Sequence, residues 1–279
     1  MNHLVAWYER RSPHFGRILL LGFAGGVAMA LIAPLLIIIP MSFNSVQSFA
    51  FPPRGLSTQW YVNLFTDPGW YTSLYQSLII ATVVTTVSLC LGIMAALALA
   101  RRSGFAHMTL SALILSPMIL PIVVSAIGVY QVFLQWHLTA TYVGFVLAHT
   151  ALATPFVFTT IAASLRGFDE TLENAAASCG ATPTVTFFRV TLPMIAPGVA
   201  SGALFAFMTS FDEVVVAILL GGPELKTLPV VMFSSVYRES DPTLAAVSTL
   251  IVAITSLAIL ALLLIDRRRS AKPAAVTPA

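Results

Sequence analysis

Apolar residues run along this chain in long stretches, separated by short polar punctuation. Six such stretches stand out, at 18–41, 74–100, 108–133, 141–165, 196–220 and 244–265. Each holds about 20 or more residues, and a helix rising ~1.5 Å per residue needs about 20 to cross the hydrocarbon of a bilayer. The two-residue alternation of barrel strands is absent. A helix pairs its backbone polar groups within itself, so each stretch predicts a membrane-spanning helix. The fold class expected is an all-α integral membrane protein with about six spans.

Composition agrees with the pattern. The chain is 58% hydrophobic and 9% charged, with a mean hydropathy of +0.90. Soluble domains carry roughly 25% charged residues. Lipid is the solvent that suits such a chain. The first stretch follows Arg10, Arg11 and Arg17 but is too long for the 7–15-residue core of a signal peptide, and no A-x-A-like site follows it. It reads as an uncleaved span, kinked or ended by Pro34 and Pro40.

The basic balance reflects anchoring rather than nucleic acid. With the N-terminus in the cytoplasm, the inner face holds Arg10, Arg11, Arg17, Arg101, Arg102, Arg166, Arg189, Arg267, Arg268, Arg269 and Lys272. The outer face then holds only Arg54, Lys226 and Arg238. This bias predicts that both termini are cytoplasmic. Residues 1–17 form an inner segment, 18–265 the transmembrane domain, and 266–279 a cytoplasmic tail that reads as disordered. On the outer side, Trp60, Tyr61, Trp70 and Tyr71 suit headgroup depth. The other outer loop, 221–243, contains an apolar piece too short to span and is expected to dip back toward the membrane.

Within the spans, Pro117 and Pro121 predict a kink. Gly25 and Gly26, and Gly198 with Gly202, predict close helix contact. His149 reads as an interhelical hydrogen-bonding residue. Cys90 and Cys179 have no Cys or His company at metal-ligand spacing and read as packing residues. The sharpest polar feature is Asp212 next to Glu213. They fall about sixteen residues into the fifth stretch, or ~24 Å along it at ~1.5 Å per residue. Carboxylates there are costly unless they face water or a partner. A cation path suits one of them; a shallow outer boundary or a pair with a partner's Arg suits them equally.

The longest inner loop, 167–193, is of mixed polarity. "FDETLENAAASCG" predicts a short helix capped by Asp169, with Glu170 and Glu173 in its first turn and Gly180 as its stop. "PTVTFFRVTLP" predicts a second helix with Pro183 near its start. Two short helices meeting at a glycine form an elbow. Its small alanine face is either a plain connector or a docking surface.

This elbow resembles the "EAA" loop of ABC-importer permease subunits. Ala175-Ala176 precede Gly180 at that family's spacing, and Val190, Thr191, Leu192 and Pro193 follow nine residues later. Asn174 stands where the family's Glu usually sits, one residue after Glu173. "SFDEVVVAILLGGPELKTLPVVMFSSVY" and "PLLIIIPMSFN" are similar to permeases of the spermidine/putrescine type. The resemblance implies a type I importer permease fold in a bacterial inner membrane. It assigns ATPase coupling to Glu173, Asn174, Ala175, Ala176, Gly180, Ala181, Leu192 and Pro193, and leaves Asp212 and Glu213 as substrate-path candidates. It implies separate ABC ATPase subunits, a sister permease in a heterodimer, an extracytoplasmic binding protein and no nucleic acid. The chain itself has no G-x-x-x-x-G-K-[ST] loop. No cofactor is expected on this chain; ATP and Mg belong to the partner ATPase. The alternatives are a stand-alone secondary transporter or channel, or an ABC permease for opines, amino acids or metal complexes. No catalytic or metal-binding constellation supports an intramembrane enzyme.

Overall fold

A computed structural model describes residues 2–100, 104–238 and 241–270. Arg101, Arg102, Lys272 and the end of the expected tail lie outside the described residues. The described chain is helical, in the order α1 (Asn2–Met41), α2 (Gln59–Thr66), α3 (Pro68–Ala100), α4 (Phe105–Ile119), α5 (Ile122–Gln135), α6 (Tyr142–Arg166), α7 (Thr171–Ser178), α8 (Pro183–Thr186), a π-turn (Phe187–Thr191), α9 (Leu192–Phe211), α10 (Val215–Leu220), α11 (Leu228–Arg238) and α12 (Thr243–Ser270). Among the described residues, four helices are long and apolar enough to cross a membrane, or five when the bent pair α4–α5 counts as one.

Two compact units divide the chain, 1–67 with 235–279, and 68–234. In the first, α12 packs against α1 and α2. Helix α1 already includes the residues expected to precede the first span, and it runs through Pro34 to stop just after Pro40. Its large apolar side chains, such as Ile18, Phe23 and Leu31, are exposed, as a lipid-facing helix requires. Gly25 and Gly26 have nothing within 4 Å of an added Cβ, so the close contact expected there does not occur among the described residues. The segment after α1 is tied into a knot around buried Asn44. Its Nδ2 donates to Ser48 O, its Oδ1 accepts from Arg54 N, and its backbone carbonyl accepts from Trp60 Nε1 at 2.6 Å. Tyr61 shares a hydrogen bond with Ser42. Trp60 and Tyr61 are therefore half-buried fasteners as well as amphipathic rings.

The second unit is built on α3, α6 and α9, which pack on one another around Ile80, Val84, Val157, Ile161, Ile195 and Ala206. Small residues set the α6–α9 approach. A Cβ on Gly198 would strike Ser164 Oγ and come within 3.1 Å of Thr160 O, and one on Gly202 would lie 2.8 Å from Thr160 Oγ1. Gly198 and Gly202 thus fulfil the expected role, whereas Ser201 between them is exposed. Trp70 differs from its expected interfacial position: it is buried in this unit at 5% exposure. Cys90 and Cys179 are free and exposed, not packed.

Two expected spans differ in shape. The third is broken into α4 and α5, bent by 102°. Proline disfavours helical geometry in the residue before it, and Leu120 before Pro121 is extended, at φ −73° and ψ 138°. The fifth starts earlier than expected. Helix runs from Pro183 through the π-turn to Phe211, 29 residues, and then stops; α10 is a separate short helix. The connection 221–228 is clamped across α3. Gln76 Nε2 donates to Glu224 O, Gln76 Oε1 accepts from Lys226 N, and Ser77 Oγ accepts from Leu228 N at 2.7 Å.

Candidate coupling elbow and helix break

Two features stand at opposite ends of the Pro183–Phe211 helix: the elbow and the break at Asp212. The elbow forms as its residues dictate. Asp169 Oδ1 accepts from Thr171 N at 2.9 Å, a turn leading into α7, whose N-cap position is Glu170 rather than the expected Asp169. This bond holds the exposed Asp169 carboxyl below its ordinary range. Ala175 to Ala177 favour the helix. Gly180 adopts φ +84°, a left-handed conformation that suits glycine. Gly180 N donates to Ala177 O and Ala181 N to Ala176 O, the paired bonds that close a helix C-terminus. The Thr182 hydroxyl then accepts from Val185 N, with Pro183 at the next helix's first turn.

One bond ties α7 to the π-turn that follows α8. Thr191 Oγ1 donates to Glu173 Oε1 at 2.6 Å. Thr191 is 1% exposed and sits in the π-turn, a wide turn common at functional sites. Glu173 therefore faces back into the elbow, while the neighbouring Asn174 is exposed. Ala175 and Gly180 are exposed, and Ala176, Ala181 and Leu192 are half-buried; Pro193 is exposed. A cleft of about 720 Å³ lies between Leu97 and Ala98 of α3 and the elbow residues Glu173, Asn174, Ala177 and Phe187. The pattern of small residues foretold the elbow. Thr191 gave no signal, because its position in the motif is open to any residue.

At the other end, α9 stops at Asp212, whose N–H still donates to Met208 O at 3.0 Å. Asp212 is exposed and Glu213 is buried. The expectation that both ride on one continuous helix fails here: they occupy the break. Glu213 Oε1 accepts from Val216 N at 2.9 Å, so this carboxylate holds the first turn of α10. Nearby, His149 Nδ1 of α6 lies 3.0 Å from Ser210 Oγ of α9, as expected of an interhelical histidine. No group of three His, Cys, Asp or Glu suited to a metal occurs among the described residues.

Known proteins sharpen this picture. Residues 88–270 match the family model described as binding-protein-dependent transport system inner membrane component. The chain is 36% identical over 253 residues to the putrescine transport system permease protein PotI of Escherichia coli K12, covering 86% of each chain. It is 29% identical to the spermidine/putrescine permease PotC of the same organism, covering 91% of this chain and 96% of that one. It is 32% identical to the molybdenum permease ModB of Mycobacterium bovis, over 71% of this chain and 80% of the relative. Among solved structures, a bacterial ABC transporter involved in import of alginate aligns with a TM-score of 0.69 at 16% identity, covering 92% of this chain and 97% of that one.

Proposed function

The chain belongs to the binding-protein-dependent transport system inner membrane component family, and on that premise we propose that this ABC-importer permease moves polyamines. Putrescine and spermidine are the cargo named for the PotI and PotC relatives. Molybdenum is the cargo named for the ModB relative. The exposed Asp212 carboxylate at the helix break favours the polyamines, since it attracts ammonium groups.

The observation that carries the mechanism is the Thr191–Glu173 hydrogen bond. It fastens α7 to the π-turn of the 29-residue Pro183–Phe211 helix, about 30 Å from that helix's Phe211 end at ~1.5 Å per residue. A push on the elbow then moves the Asp212 end of the same helix. The elbow seats in a separate ATPase subunit through exposed Asn174, Ala175 and Gly180 and the adjoining Ala176 and Ala181. Leu192 and Pro193 join the elbow to the span. ATP and Mg are held by that partner, and this chain supplies the path. Closure of the ATPase pair tilts the spans outward; a binding protein delivers cargo past Asp212; hydrolysis resets the pair. A sister permease completes a heterodimer, and both termini lie in the cytoplasm of a bacterium, with the chain in its inner membrane.

The test is uptake of labelled putrescine and spermidine by cells stripped of other polyamine importers, with the neighbouring subunits present. Uptake that depends on this chain supports the reading, and unchanged uptake on deletion overturns the cargo. Docking is tested separately by Ala175→Arg, which places bulk and charge on the alanine face. An ATPase that co-purifies equally with this variant would overturn the elbow assignment.

A further inference from the structure

The break between α9 and α10 carries two adjacent carboxylates, and the fold treats them differently. Asp212 ends α9 and is exposed. Glu213 is 8% exposed, and its Oε1 accepts from Val216 N. The break is anchored on both sides. Before it, Ser210, 4% exposed, is bonded to His149 of α6. After it, α10 is fixed at its start by Glu213 and at its end by Leu220 O, which accepts from Ala140 N at 2.7 Å. Val216, Ala217 and Leu220 of α10 are buried against the core between these two ties.

We infer that Glu213 is a positioning residue that fixes the helix break, so that Asp212 alone presents charge to the transported cation. The inference rests on the polyamine reading for the cargo and on geometry for the cap. In a span, a backbone N–H has no water to fall back on. Glu213 is buried, and swinging its carboxylate out toward a cation would pull Oε1 from the Val216 N–H, leaving a buried donor unpaired in every transport cycle. Asp212 makes the same offer without that cost, because its carboxylate is not committed to a backbone turn. The two neighbours therefore divide the work, one holding the backbone and the other facing the path.

The distinction is measurable in the complete transporter, with its ATPase and binding protein. Glu213→Ala removes the cap. KM for putrescine rises about tenfold or more, the factor expected on losing a hydrogen bond to a charged group, while the ATPase still co-purifies. Glu213→Gln keeps an acceptor oxygen for Val216 N and brings KM back to within about threefold of the unsubstituted chain. Asp212→Asn, which removes the charge, gains no such rescue from its amide. A second readout does not depend on cargo. Val216→Cys, in a chain carrying Cys90→Ser and Cys179→Ser, stays shielded from a water-soluble maleimide when Glu213 or its Gln substitute is present. It becomes reactive with Glu213→Ala. Glu213→Gln as damaging as Asp212→Asn, or Val216→Cys still shielded beside Glu213→Ala, overturns the inference. If the unsubstituted chain imports neither putrescine nor spermidine, the cargo reading fails by itself and the labelling decides the cap. If Glu213→Ala does not assemble, the Glu213→Gln and Asp212→Asn pair decides.

Discussion

Breaking the Thr191–Glu173 bond should uncouple ATP hydrolysis from transport without dismantling the protein. Thr191→Val is the cleanest perturbation, because it keeps the shape of a side chain that is 1% exposed and removes only the donor. A hydrogen bond to a charged group contributes about 1.5–3 kcal/mol. Two effects reduce this figure. Glu173 is half-exposed, so water can reach its carboxylate when Thr191 no longer donates, and in Glu173→Ala the Thr191 hydroxyl can turn back to a carbonyl of its own helix. A coupling of about 1 kcal/mol is the expected result of the double-mutant cycle. That shifts the fraction of elbows that open by about fivefold. In proteoliposomes with the partner subunits, cargo moved per ATP should fall while ATP turnover persists. Amides of α7 should exchange faster by a similar factor. A Thr191→Val chain with an unchanged cargo-to-ATP ratio and unchanged α7 exchange would refute the idea that this bond transmits the stroke. Strict additivity of Thr191→Val and Glu173→Ala would refute the bond's energetic role.

Other expectations follow from the same packing. Gly198→Ala forces α9 away from Ser164 and the Thr160 carbonyl and should cost about 1–3 kcal/mol, seen as a lower unfolding temperature; Ser164→Gly in the same chain should restore part of it. Gln76→Leu leaves Glu224 O and Lys226 N without their partner and should expose the bond after Lys226 to trypsin, with destabilisation of about 1–3 kcal/mol per unpaired group. Asp212→Asn should impair polyamine uptake without preventing assembly, checked by uptake beside co-purification of the ATPase. The Asp169 carboxyl, which accepts from Thr171 N, has a folded pKa below the ordinary 3.8. Its contribution is therefore fully present above that value and lost only as pH falls through the depressed one, so α7 exchange, corrected for intrinsic rate, should not change between about pH 5 and pH 8.

How much of this was legible in the sequence depends on the range of the forces involved. Helices were plain because lipid imposes long apolar runs, and the elbow was plain because Asp169, the alanines and Gly180 act within a few residues of themselves. Pro117 and Pro121 announced a kink in the third stretch, but its size is set by how α4 and α5 pack, which no local pattern carries. The Thr191–Glu173 bond joins residues 18 apart in sequence, and the clamp of Gln76 on Lys226 joins residues 150 apart. Neither pairing has a local signature.

The break at Asp212 shows why apolar length alone misleads. Residues 196–220 satisfy every criterion for a continuous span, and a helix of that length was the natural expectation. Two facts weigh against continuity at this point. Val214, Val215 and Val216 are β-branched and lose rotamer freedom in a helix, and a carboxylate at Glu213 can bond the Val216 N–H only if the chain leaves the helix before it. In water those terms are small beside others. Inside a bilayer, where a buried carboxylate must find a donor, the cap repays what the broken ladder loses. The same acid that made the stretch look anomalous as a span is what ends the helix there. The exposed carboxylate then sits at a point where the backbone is already interrupted, which is where a transporter can expose polar groups to cargo rather than to lipid.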